Sequence, residues 1–119
     1  MTTVTNYKDL LVWQRSMDLV ERIYRITQKL PDTERWGLIS QMCRAAVSVP
    51  SNIAEGYGRQ ATGEYRHFLS IARGSLSELE THLLLCQRLG HIEPKEVAPL
   101  LREVEEILKM MSTLISKIH

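Results

Sequence analysis

The chain has 119 residues, 44% of them hydrophobic, which suits one domain with a small core. Its 15 Lys and Arg nearly balance 14 Asp and Glu, and aromatic residues make up only 6%. Near-neutrality excludes the strongly basic footprint of many nucleic-acid-binding domains, and the scarcity of rings excludes an evident base-stacking platform.

The N-terminal MTTVTNYKD is polar and unlike a signal peptide, and no apolar run approaches the roughly 20 residues of a membrane span. A cytoplasmic protein with no membrane association is expected. Cys43 and Cys86 both fall in apolar helical patterns and read as free buried thiols. His67, His82, His91 and His119 share no ligand spacing, and no metal or cofactor is expected. His67 and His82 read as surface or boundary residues.

The first predicted helix runs from about Lys8 to Leu30, with Asn6 as its cap. Leu10, Trp13, Met17, Val20, Tyr24 and Thr27 follow the spacing of a packed stripe. Val12, Leu19, Ile23, Ile26 and Leu30 form a second stripe beside it, so the apolar face is wider than one neighbour requires. Pro31 and Asp32 end this helix and open the next.

The second helix is predicted from about Thr33 to Tyr57, with Trp36, Ile39, Cys43, Ala46, Pro50, Ile53 and Tyr57 as its stripe. From Trp36 to Ala54 only Arg44 is charged, which reads as a central helix buried nearly all round. The apolar pattern continues past Pro50, so the proline is expected to kink the helix; two helices broken at Val49 are the alternative. Ser48, Ser51 and Asn52 can bond backbone groups freed there or a facing helix. Gly56 and Gly58 are expected to end it.

The third helix is predicted from about Gly63 to Leu89, capped by Thr62, with Tyr65, Leu69, Ala72, Leu76, Leu79, Leu83 and Cys86 inward. The fourth runs from about Pro94 to Ile118, on Val97, Leu101, Val104, Leu108, Met111, Ile115 and Ile118. No strand is indicated. Short connections predict an all-α, up-down-up-down antiparallel four-helix bundle in a single domain.

Two polar islands interrupt these helices. A buried Arg44 needs a carboxylate or carbonyls, and Glu55 is too far along the same helix to supply one. Arg44, Asn52 and Glu55 are therefore expected to meet Arg73, Ser75 and Glu78 of the third helix in a buried polar network. Gly74 would allow a close approach there. Such a network can set register between helices or subunits, or hold an anion on Arg44, Arg59 and Arg73. Paired acids Glu55 and Glu78 are the weakest reading, since the Glu-x-x-His pairs of dimetal bundles are missing. No GxxxxGK[ST], GxSxG or HExxH occurs.

The segments YKDLLVWQRSMDLVERIY, ERWGLISQMCRAAVSVPSNIAEGYGR and EYRHFLSIARGSLSELETHL resemble the four-helix-bundle family of 23S rRNA intervening-sequence proteins. The resemblance spans essentially the whole chain and is most specific in WGLISQMCRAAVSVPSNIAEGYGR and ARGSLSELET. That family is similar in fold to the accessory variability protein of diversity-generating retroelements, a ring-shaped homopentamer that binds nucleic acid and a reverse transcriptase. The resemblance implies a bundle that assembles into a ring, a homopentamer, with no enzymatic activity.

Surplus apolar surface on the first two helices points the same way, because closed symmetry would bury it. Arg15, Arg22 and Lys29, seven apart on the first helix with Arg25 nearby, and Arg59 are the candidate RNA or DNA contacts. Asp18 and Glu21 interrupt that row, and a solvated face reads equally well. The alternative function is a scaffold that docks another protein and binds no nucleic acid.

Overall fold

The computed structural model describes residues 4–118. Asn6 does act as a cap, but of a 3-10 turn, Tyr7–Asp9, where its side chain accepts a hydrogen bond from the Lys8 N–H at 3.0 Å. Leu10 is extended, so the first helix begins later than its pattern suggests: α1 is Leu11–Thr27. A second 3-10 turn, Asp32–Glu34, leads into a wide π-helical turn, Arg35–Ile39. Gly37 leaves helical dihedrals there (φ −103°, ψ −111°), and α2 proper is Ser40–Gly58. Trp36, expected inside the stripe, is thrown outward and is 87% exposed. Pro50 lies buried inside α2, which continues through it rather than breaking at Val49. Next come α3, Thr62–Arg88, and α4, Pro94–Ser116, with Pro94 in its first turn. Thr62 is the first residue of α3 and gives no side-chain cap; Ala61 takes that place.

The described residues are all helical apart from turns and connections, with no strand. Each of the four helices packs on the next, and α4 returns to α1. The core is built from Leu19 and Ile23 of α1, Met42, Val49 and Ile53 of α2, Leu69, Leu76, Leu79 and Leu83 of α3, and Val97, Val104, Ile107 and Met111 of α4.

The α3 stripe matches its reading from Leu69 to Cys86. In α4 Val97, Val104 and Met111 face the core as expected, but Leu100 and Ile107 turn inward in place of Leu101 and Leu108, which are partly buried. In α1 the second stripe faces the core, whereas Met17 and Tyr24 of the first are 42% and 48% exposed. In α2 Ala46, Pro50 and Ile53 of the expected stripe are buried, and Met42, Ala45 and Val49 join them, while Ile39, Cys43 and Tyr57 are only partly buried. Gln41, Arg44, Val47, Ser51 and Glu55 stay exposed, so this helix is not buried all round within the chain.

Gly56 has a packing role that a helix stop does not need. A Cβ there would lie 2.8 Å from Phe68 Cβ and 3.2 Å from the Tyr65 carbonyl oxygen, so the bare backbone lets α2 meet the start of α3. At Gly74, where a close approach was expected, a Cβ would meet nothing within 4 Å.

Candidate functional site

The polar residues of α2 and α3 meet at one small cluster. Ser48 Oγ and Ser75 Oγ are 2.9 Å apart, and Asn52 Nδ2 donates to the Ser48 carbonyl at 2.7 Å and to Ser48 Oγ at 2.8 Å. These short side chains sit beside Pro50, where the missing N–H disturbs the helical ladder. Of the six expected network members, only Asn52 and Ser75 come together, through Ser48.

The charged members stay outside. Arg44 and Glu78 are exposed and, with Gln41, line one shallow groove. Glu55 is exposed and accepts from Arg59 at 3.0 Å, one turn further along. Arg73 is half-buried and makes no side-chain hydrogen bond or ion pair among the described residues. The physical reason is spacing: the charges alternate around helices whose neighbours take only the small polar side chains at the seam.

The basic row of α1 lies along α4. The Arg15 guanidinium grips Glu103 through two bonds, Nε–Oε1 at 3.0 Å and Nη2–Oε2 at 2.8 Å, and also reaches Glu106. Hydrogen bonds to Glu103 and then Glu106 hold the Arg15 pKa above its ordinary value, and the bond from Arg15 holds the Glu106 carboxyl below its own. Lys29 Nζ meets Glu96 at 2.6 Å. Arg59 is engaged by Glu55 and, at 3.9 Å, by Glu64, and stacks 5.2 Å from the Phe68 ring. Arg15, Lys29 and Arg59 are thus ion-paired within the chain.

Arg22 differs. It is half-buried and forms no ion pair among the described residues. It lines a groove of about 340 Å³ with Arg25, Ile26, Lys29, Glu96, Pro99 and Leu100. Its solitude is a matter of register. Lys29 finds Glu96 and Arg15 finds Glu103, but between those acids the wall of the groove is Pro99 and Leu100.

Other titratable groups are structural. Burial pushes the Cys86 thiol up to about 11, with Sγ 3.5 Å from Met42 Sδ. Cys43 is only half-buried; burial raises its pKa, partly offset by hydrogen bonds with Thr27 and Tyr24. His82, read as a surface or boundary residue, is buried, and burial lowers its pKa. Its Nδ1 has no hydrogen-bond partner. Its position one turn before Cys86 on the apolar side of α3 was the signal available in the sequence. Among the described residues, no three His, Cys, Asp or Glu side chains gather as a metal-binding group, and no helix is long and apolar enough to cross a membrane.

An apolar groove lies along α1 and α2. Tyr7, Trp13, Met17, Val20, Val47, Pro50, Ser51 and Ala54 line a groove of about 360 Å³. Tyr24, Cys43 and Val47 continue it. On α3, Ile71, Leu84 and Leu85 are also exposed, and so is Leu89 just past its end.

A crystal structure of a protein of unknown function from the S23 ribosomal protein family of Bacteroides thetaiotaomicron VPI-5482 superposes on this fold with a TM-score of 0.80. The two share 23% identity over 88% of this chain and 98% of that one, a likeness of fold. No curated protein matches the chain. The profile described as 23S rRNA-intervening sequence protein matches residues 8–113, nearly the full length. This chain belongs to the 23S rRNA-intervening sequence protein family.

Proposed function

We propose that this protein is a non-enzymatic cytoplasmic module that assembles with copies of itself into a closed ring, a homopentamer like the accessory variability protein to which its family is similar in fold. The observation that carries this reading is the apolar α1–α2 groove, where Trp13, Met17 and Val20 face Val47, Pro50 and Ala54. A monomer gains nothing by exposing such a surface, and a second copy would remove it from water. The exposed Ile71 and Leu85 lie on a different helix, α3, with Leu89 just past its end. Two unlike apolar surfaces suit a head-to-tail contact, which closes into a ring when the rotation between neighbours allows it.

The same reading includes an up-down-up-down chain path and a bend at Pro50. Ion pairs support the path, since Arg15 meets Glu103 while the later Lys29 meets the earlier Glu96. Light scattering tests the assembly. The wild type is expected at a multiple of 13.7 kDa, and Met17→Glu with Val47→Glu at the single-chain mass. A wild type at the single-chain mass would overturn the reading.

A second reading, binding of RNA or DNA, is favoured by one observation, the unpaired Arg22 in its groove beside Arg25 and Lys29. It predicts uptake of a mixed RNA pool at low salt and release at high salt. A ring that ignores RNA at both would point instead to docking of another protein.

A further inference from the structure

We infer that the groove of Arg22, Arg25 and Lys29 between α1 and α4 is a binding site for one nucleotide phosphate, free or within a single RNA strand. The inference rests on the nucleic-acid reading above and gives it a location. The sequence row pointed to Arg15, Arg22 and Lys29 alike. The fold separates them, because two have carboxylates from α4 and the middle one does not.

The chemistry of the groove is lopsided. Three cations line it against one carboxylate, Glu96, which Lys29 already holds at 2.6 Å. Arg25 has only a loose neighbour in Glu21 at 3.5 Å, and both of those side chains are well exposed. Arg22 is partly withdrawn from water and has no ion pair among the described residues. A guanidinium so placed offers paired N–H donors, which match two oxygens of a phosphate. Arg25 and Lys29 can swing onto the remaining oxygens, since exposed ion pairs hold them weakly.

The rest of the groove selects what the phosphate is attached to. Ile26, Pro99 and Leu100 are its apolar lining, with Ile26 and Leu100 almost fully buried. A base or sugar laid over Pro99 would cover apolar surface that bare phosphate leaves wet. A nucleotide therefore fits better than inorganic phosphate.

The test follows the Arg22 and Ile26 signals of the intact protein by NMR while adenosine monophosphate, inorganic phosphate, a short single-stranded RNA and a polyglutamate peptide are titrated separately. Saturable binding of the nucleotide and the RNA is expected, with inorganic phosphate weaker. Arg22→Gln should weaken it roughly tenfold or more, the effect of losing hydrogen bonds to a charged group. Pro99→Glu, which supplies the missing carboxylate, should weaken it similarly. Arg102→Gln, outside the groove, should leave it unchanged.

RNA binding that survives both groove variants would overturn the site while sparing the nucleic-acid reading. No binding of nucleotide or RNA would overturn both. Binding of polyglutamate alone would overturn the nucleotide assignment. Circular dichroism of each variant identifies any that fails to fold, and the second variant then carries the result.

Discussion

Glu34 and His91, 57 positions apart, meet through Oε2 and Nε2 at 3.0 Å. The other carboxylate oxygen of Glu34 accepts from the Leu38 N–H at 3.4 Å, so one side chain caps the π-helical turn and ties it to the α3–α4 connection. His91→Ala should cost about 1 kcal/mol, the worth of one partly exposed charge-assisted bond. Urea unfolding reads the loss. Faster hydrogen exchange at Leu38 would place it at this turn, and unchanged exchange there would detach His91 from it.

His82 makes stability depend on pH. Burial disfavours its charged form, so its folded pKa lies below the unfolded value of 6.5. Between the two values the unfolded chain binds a proton that the folded chain refuses. Its contribution is therefore complete above the unfolded value and falls away as pH drops through that window. Urea midpoints should decline as pH falls below the unfolded value of 6.5, and His82→Leu should flatten the decline. An unchanged slope in that variant would assign the effect elsewhere.

Arg15 and Glu103 are the best-formed ion pair between helices, with two bonds in fork geometry. Both side chains keep some contact with water, 28% and 19% exposed, which screens the pair. A double-mutant cycle on Arg15→Gln and Glu103→Gln should return a coupling of about 1 kcal/mol. The depressed Glu106 carboxyl adds an acid-linked part, present above its unfolded pKa and lost as pH falls toward the folded one. Additive single variants would mean the pair contributes nothing.

Gly56 and Gly74 should respond in opposite ways to alanine. Gly56→Ala drives a methyl against Phe68 Cβ and the Tyr65 carbonyl, for a loss of about 1–3 kcal/mol. Gly74→Ala meets open space on a helix and should stabilise the single chain by up to about 1 kcal/mol. If Gly74 lies between subunits of the proposed ring, the same methyl should weaken assembly while raising chain stability. Sizing alongside thermal unfolding separates the two effects.

The order and number of helices were legible in the sequence because apolar periodicity and Pro or Gly punctuation are local properties. The α3 phase from Leu69 to Cys86 was plain, since a single stripe there leaves one choice. In α1 two stripes competed, and only the neighbouring helices decided that Leu19 and Ile23 turn inward while Met17 and Tyr24 do not. The late start of α2 was hidden because the turn before it is fastened in part by the Glu34–His91 bond, a contact across the chain that local periodicity does not carry.

The polar residues divide in the same way. That Arg44, Asn52, Ser75 and Glu78 interrupt apolar helices was written in the sequence; which of them touch was not, because pairing depends on rotation and offset between α2 and α3. The seven-residue row Arg15, Arg22 and Lys29 was likewise readable as one face of a helix. Only the tertiary structure set Glu103 and Glu96 against its ends and Pro99 near its middle, because register between α1 and α4 comes from packing the core.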